Sequence, residues 1–141
     1  MTTIVYDHKR KQIATDGRET TNEIILSDTV DKSIKVGDAT FFLAGDSGDI
    51  EIFCDEFEKG KLYQTELNAG GYMIKDGKAY NVYVNEVFVF CQIELKSSEA
   101  FGSGGEFAIA ALDFGCSAKE AVKYAMSRDF KSGGKIRVYN L

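Results

Sequence analysis

The sequence predicts an α+β fold of layered sheets and helices. Strands arrive in adjacent hairpins rather than singly between helices, and helical periodicity is confined to three stretches, one central and two near the end.

The first 45 residues read as strand after strand. Thr2–Tyr6 is β-branched and apolar, the charged turn DHKRK follows, and Gln12–Asp16 completes a hairpin. Glu23–Ser27 and Lys32–Val36 are short strands. Gly37-Asp38 is a hairpin turn signal before the apolar strand Ala39–Ala44. GDSGD then opens a helix: Ile50, Phe53, Cys54 and Phe57 repeat at i, i+3, i+4, i+7, and Gly60 stops it. Leu62–Ala69 fits neither period. Tyr72–Lys75 and Ala79–Val84 form a hairpin through Asp76-Gly77, and a strand over Val87–Leu95 follows. GSGG leads into a helix over Glu106–Phe114, ended by Gly115. Ser117 and Glu120 make a capping box for a third helix, running to about Arg128. Ile136–Asn140 is the last strand.

A length of 141 residues suits one domain, 1–141, and no repeat or linker interrupts it. The net charge of −5 offers no basic field for nucleic acid. Val87–Cys91, the longest apolar run, is far too short to cross a bilayer, and no signal-peptide stretch opens the chain. Cys54, Cys91 and Cys116 are odd in number and share no CxxC spacing, so they read as reduced core thiols of a cytoplasmic protein. The lone His8 in a turn makes a metal site improbable, and no cofactor is expected.

Several stretches carry candidate chemistry. Lys32 shares strand parity with Ile34 and Val36, so if those face the core it does too. An inward lysine needs a carboxylate or must lose its charge, and Asp16 is a plausible partner. Periodicity alone favours a lysine snorkelling from a strand end. RDFKSGG, with Asp129 and Ser132 three apart, reads alone as a helix-ending turn, and GSGG as a helix start capped by Ser103. GSGG makes a poor phosphate loop, since no Lys or Arg follows in place.

Six stretches in order, TTIV behind Met1, ATDGR at 14–18, VDKSIKV at 30–36, LAGDSGD at 43–49, FGSGGEF at 101–107 and RDFKSGG at 128–134, together resemble the threonine-type N-terminal nucleophile hydrolases, the proteasome β subunits and HslV-type peptidases. The resemblance implies a four-layer αββα sandwich of two antiparallel sheets covered by helices. It implies Thr2 as nucleophile, with its own α-amine as general base once Met1 is removed. An α-amine titrates near pH 8, closer to working pH than a lysine at about 10. Lys32 would lower the proton affinity around Thr2, and Asp16 would hold Lys32 charged. The Gly45 N–H would face the oxyanion, and Ser103, Asp129 and Ser132 would fix the amine. The strand near Arg18–Thr21, with Thr20 in it, would pair with substrate backbone, and Leu43 would shape a pocket for a moderate apolar side chain. The implied partners are a peptide or unfolded protein substrate, a homo-oligomer and an ATPase unfoldase.

Two features depart from that pattern. The helix after the glycine turn reads as short, 49–59, its successor is reduced to about 62–71, and the chain stops after the last strand, so the family's assembly elements look trimmed. Met1 still precedes Thr2. The leading expectation is a threonine-type peptidase or amidohydrolase. The alternatives are a catalytically silent proteasome-like binding or assembly protein, and an amidase for a small metabolite.

Overall fold

The computed structural model describes residues 2–62 and 66–141. In chain order its elements are β1 (Thr3–Asp7), β2 (Gln12–Thr15), β3 (Glu19–Thr21), β4 (Ile24–Ser27), β5 (Ser33–Val36), β6 (Ala39–Gly45) and α1 (Ser47–Glu56). Then follow β7 (Ala69–Lys75), β8 (Lys78–Val84), β9 (Phe90–Glu94), β10 (Glu99–Gly102), α2 (Gly105–Asp113), α3 (Ala118–Met126) and β11 (Arg137–Asn140). The architecture is α+β, and the strands pair antiparallel.

The chain divides into two compact units, one of Met1–Lys32 with Lys96–Leu141 and one of Ser33–Leu95. In the first, a sheet runs β10-β1-β2-β11, while β3 and β4 form a separate two-stranded ribbon. Val5 and Ala14 are register partners and turn to one face, against α2 and α3. The helices meet them with Ala108, Ala111, Ala118, Ala121, Val122 and Ala125, all buried. Alanines put little bulk between helix and sheet, so the helices lie close to β1 and bring their flanking loops to its start.

In the second unit the sheet runs β5-β6-β7-β8-β9. Asp46 caps α1 by accepting from the backbone N–H groups of Gly48 and Asp49. Phe53 and Cys54 of α1 pack on Phe41, Leu43, Met73 and Val82. Helix α1 is short as expected, and Phe57–Lys59 continues it as a 3-10 turn closed by Gly60 at φ 78°.

Some boundaries differ from expectation. The strand expected over Val87–Leu95 begins only at Phe90. Asn85 Oδ1 accepts from the N–H groups of Val87 and Val89 at 3.1 and 3.0 Å, holding a turn that withdraws them from the ladder. The third helix stops at Met126 rather than near Arg128, because the Asp129 segment leaves the helix to serve a cluster described below. Strand β10 was unforeseen; EAFG is too short to show a period. In the stretch expected to be ambiguous, β7 already begins at Ala69, and residues 63–65 lie outside the described residues. The Ser117–Glu120 capping box forms as expected. Of the three free cysteines only Cys54 is buried; Cys91 and Cys116 are half-exposed, which corrects the expectation of three core thiols. No helix among the described residues is long and apolar enough to cross a membrane.

Candidate active site

Strand β1 starts at Thr3, so Thr2 lies at the very edge of the sheet, 6% exposed. Lys32 precedes β5, and its parity with Ile34 points it inward rather than to water. Its Nζ donates to Thr2 Oγ1 at 2.6 Å and to Asp16 Oδ1 at 2.7 Å. The side chains of Lys32 and Asp16 are 8% and 0% exposed. A buried carboxylate is tolerable when its lone pairs are filled. Asp16 Oδ1 also accepts from Thr3 N–H at 3.0 Å, and Oδ2 accepts from Gly133 N–H at 3.0 Å and Arg18 N–H at 3.3 Å. Burial pushes the Lys32 ammonium below its ordinary value of 10.5, and Asp16 resists that shift without cancelling it.

A second cluster adjoins the first through Thr3. Ser103 Oγ and Ser132 Oγ both donate to Asp129 Oδ2, at 2.6 and 2.7 Å. Ser132 Oγ lies 2.6 Å from the Thr3 hydroxyl. Burial alone would raise the Asp129 carboxyl, but the two serines and the Lys131 N–H together hold it below 3.8. The reading of Ser103 as a helix cap is corrected: Gly104 holds the cap position without a side-chain bond, because the Ser103 hydroxyl is drawn to the carboxylate of Asp129.

The GSGG stretch is shaped by close approach. A Cβ on Gly102 would stand 2.0 Å from Thr2 O, and one on Gly104 would stand 2.0 Å from Thr3 Oγ1. Only glycine lets this loop lie against the first two threonines.

The structure thus gathers Thr2, Asp16, Lys32, Ser103, Asp129 and Ser132, six of the nine residues singled out from sequence, within one unit. Thr20 lies on the β3–β4 ribbon, opposite Ile25. Leu43 and Gly45 lie on β6 of the other unit, Leu43 buried and Gly45 at φ 136° with its Cα against the Asn68 carbonyl. Sequence reasoning passed over Thr3, Gly104 and Arg18. For Thr3 the repeated threonine was the available signal. Among the described residues no group of three His, Cys, Asp or Glu side chains is placed to hold a metal ion.

This arrangement presents a hydroxyl held by an ammonium, a buried carboxylate behind it, and a second carboxylate clamped by hydroxyls. No protein-family profile matches the chain, and no curated protein matches it by sequence. Structural comparison does find similar folds. HslV from Trypanosoma brucei matches with a TM-score of 0.75 at 20% identity, over 98% of this chain and 98% of that one. A Thiobacillus denitrificans bacterial proteasome homologue, BPH, in complex with epoxomicin matches at 0.75 and 18% identity, over 98% and 97% of the two chains. A second structure of Thiobacillus denitrificans BPH matches at 0.70 and 18%, over 98% and 95%. The chain has the proteasome/HslV fold. That N-terminal nucleophile hydrolase fold is the one the six motifs resembled.

Proposed function

We propose that this chain is a threonine-type N-terminal nucleophile peptidase or amidohydrolase, active on peptide or other amide bonds once Met1 is removed. The observation that carries the reading is the 2.6 Å contact from Lys32 Nζ to Thr2 Oγ1, backed by buried Asp16.

The chemistry follows from the groups present. The Thr2 hydroxyl adds to the amide carbonyl, and its proton passes to the α-amine of the same residue, held within reach by the covalent frame. The Lys32 ammonium stabilises the alkoxide as it forms. The Gly45 N–H receives the oxyanion; one such donor is typically worth about 2.7–4 kcal/mol of barrier. The α-ammonium then protonates the leaving amine, which departs and leaves an ester on Thr2 Oγ1. Water, deprotonated by the free α-amine, cleaves that ester and restores Thr2. Ser103, Ser132 and Asp129 orient the amine. Thr20 pairs with substrate backbone, and Leu43 walls a pocket for a moderate apolar side chain.

The same reading carries a single-domain, cytoplasmic homo-oligomer that takes peptides or unfolded protein and docks an unfoldase ATPase. Three consecutive exposed apolar residues on β4, Ile24, Ile25 and Leu26, support self-association. Native mass spectrometry tests this; a monomer at high concentration contradicts it.

The deciding experiment combines intact mass with epoxomicin, found on BPH. Recombinant chain lacking Met1 is expected to gain the mass of one epoxomicin, and Thr2→Ala none. Met1-free protein that neither reacts nor hydrolyses any peptide amide overturns the enzyme reading and leaves a silent binding protein.

A further inference from the structure

We infer that Thr3 is a positioning residue whose hydroxyl sets the direction of the hydrogen-bond chain Thr3→Ser132→Asp129. Its meaning for catalysis rests on the function proposed above; the direction of the chain does not.

The direction follows from counting hydrogens. A serine hydroxyl has one hydrogen to donate and lone pairs to accept with. Asp129 accepts from Ser103, from Ser132 and from the Lys131 N–H, so its carboxylate is filled by donors and supplies none. The single hydrogen of Ser132 is therefore committed to Asp129 Oδ2 at 2.7 Å. The 2.6 Å contact between Thr3 and Ser132 then has only one possible donor, Thr3. Thr3 is fully buried, so water cannot substitute for it. With one lone pair filled by Thr3 and its hydrogen given away, Ser132 keeps only acceptor capacity. That suits an N–H donor such as a freed α-amine.

Thr3 also joins the two clusters. Its backbone N–H donates to Asp16 Oδ1 at 3.0 Å, on the carboxylate that holds Lys32. Its side chain reaches the Asp129 cluster. One residue therefore fixes the spacing between the group that holds the nucleophile's oxygen and the group that would hold its nitrogen. Gly104 reserves the space in which the Thr3 hydroxyl sits.

The test uses the full chain after Met1 removal, with Thr3→Val, Thr3→Ala and Thr3→Ser. Two readouts are taken: the 13C titration of the Asp129 carboxyl, and kcat and KM on a fluorogenic peptide amide. Lys32, Arg18 and the N-terminal amine, the charged groups that act on Asp129 through space, are unchanged in every variant. Thr3→Val should move the Asp129 titration to higher pH, because Ser132 becomes a weaker donor without Thr3 behind it. It should lower kcat about tenfold with KM unchanged, and Thr3→Ser should restore both. Thr3→Ala removes the same donor without a new methyl and carries the test if Thr3→Val does not fold. An Asp129 titration unaltered in both overturns the inference. A parent that hydrolyses nothing overturns the proposed function instead, while the titration still decides the chain's direction.

Discussion

The Nζ of Lys32 stands 2.6 Å from Thr2 Oγ1, although 30 residues separate them and each lies just outside a strand. The same Nζ reaches Asp16 at the end of β2. A strand-edge hydroxyl is thereby tied to a charge that burial and Asp16 hold in opposing balance.

Removing Lys32 should be costly because of what it leaves behind. Lys32→Met strands a fully buried carboxylate with only N–H donors. Breaking such a pair typically costs about 3–5 kcal/mol, and the remaining donors to Asp16 place this case near 3 kcal/mol. The double variant Asp16→Asn, Lys32→Met should recover most of that loss. Urea melts of the single and double variants check it, and peptide hydrolysis should vanish in both.

Gly104→Ala separates space from backbone strain. Gly104 has φ −91°, which alanine adopts freely, yet the new Cβ would stand 2.0 Å from Thr3 Oγ1 and 3.1 Å from Ser132 Oγ. Overpacking of this kind costs about 1–3 kcal/mol and should displace the hydroxyl chain. Gly37→Ala is the control: its φ is 61° with open space around it, so only strain of about 1 kcal/mol is expected, with activity retained. Thermal melts and peptide turnover distinguish the two.

The two charged centres act at opposite ends of the pH range with the same sign: each favours the folded state more as pH rises. The folded pKa of Asp129 lies below 3.8, so its stabilisation is present above that value and fades as pH falls through the folded pKa. Asp129→Asn should flatten stability on the acid side, and Ser132→Ala should start the acid loss at higher pH. The folded pKa of Lys32 lies below 10.5, so the folded state releases its proton first and stability from this group rises with pH up to that value. Melting temperatures from pH 3 to about 10 check both signs.

Parity on one strand put Lys32 on the core face, yet periodicity alone favoured a lysine snorkelling from the strand end, and only the six motifs taken together turned the reading inward. The lysine's partner was a guess until the sheet brought Asp16 beside it. Ser103 shows the limit. As a residue before a helix it reads as a cap, and nothing local reveals that Asp129, 26 residues on, competes for its hydroxyl. Asn85 likewise looks like ordinary strand-flanking sequence until its side chain captures two backbone N–H groups. The motifs of the site were legible because close approach demands glycine at fixed places. Thr3 was not, since a β-branched residue in a strand needs no further explanation.

Arg18 should matter through the loop it holds. Its guanidinium bonds Asp28 through Nε at 2.8 Å and Nη2 at 3.1 Å, and Nη1 donates to Phe130 O at 2.9 Å. Asp28 raises the Arg18 pKa, chiefly through that hydrogen bond. The pair is partly exposed, so salt should screen it and its effect on stability should be small. Phe130 adjoins Asp129, so Arg18→Met should lower turnover while shifting the melting temperature little. Turnover of the variant against the parent, at low and high salt, checks this: high salt should narrow the gap.

Thr15 carries the opposite expectation. It sits fully buried on β2 beside Asp16, and its Oγ1 has no hydrogen-bond partner among the described residues. A buried hydroxyl without a partner has lost its water and received nothing in exchange. Valine keeps the β-branched shape and replaces that oxygen with a methyl. Thr15→Val should therefore stabilise the fold by roughly 1 kcal/mol, read as a higher urea midpoint at constant m-value. Turnover should stay as in the parent, since Thr15 Oγ1 bonds none of the residues around Thr2. A destabilised Thr15→Val would mean that this hydroxyl has a partner in solution, and a water there is the first place to look.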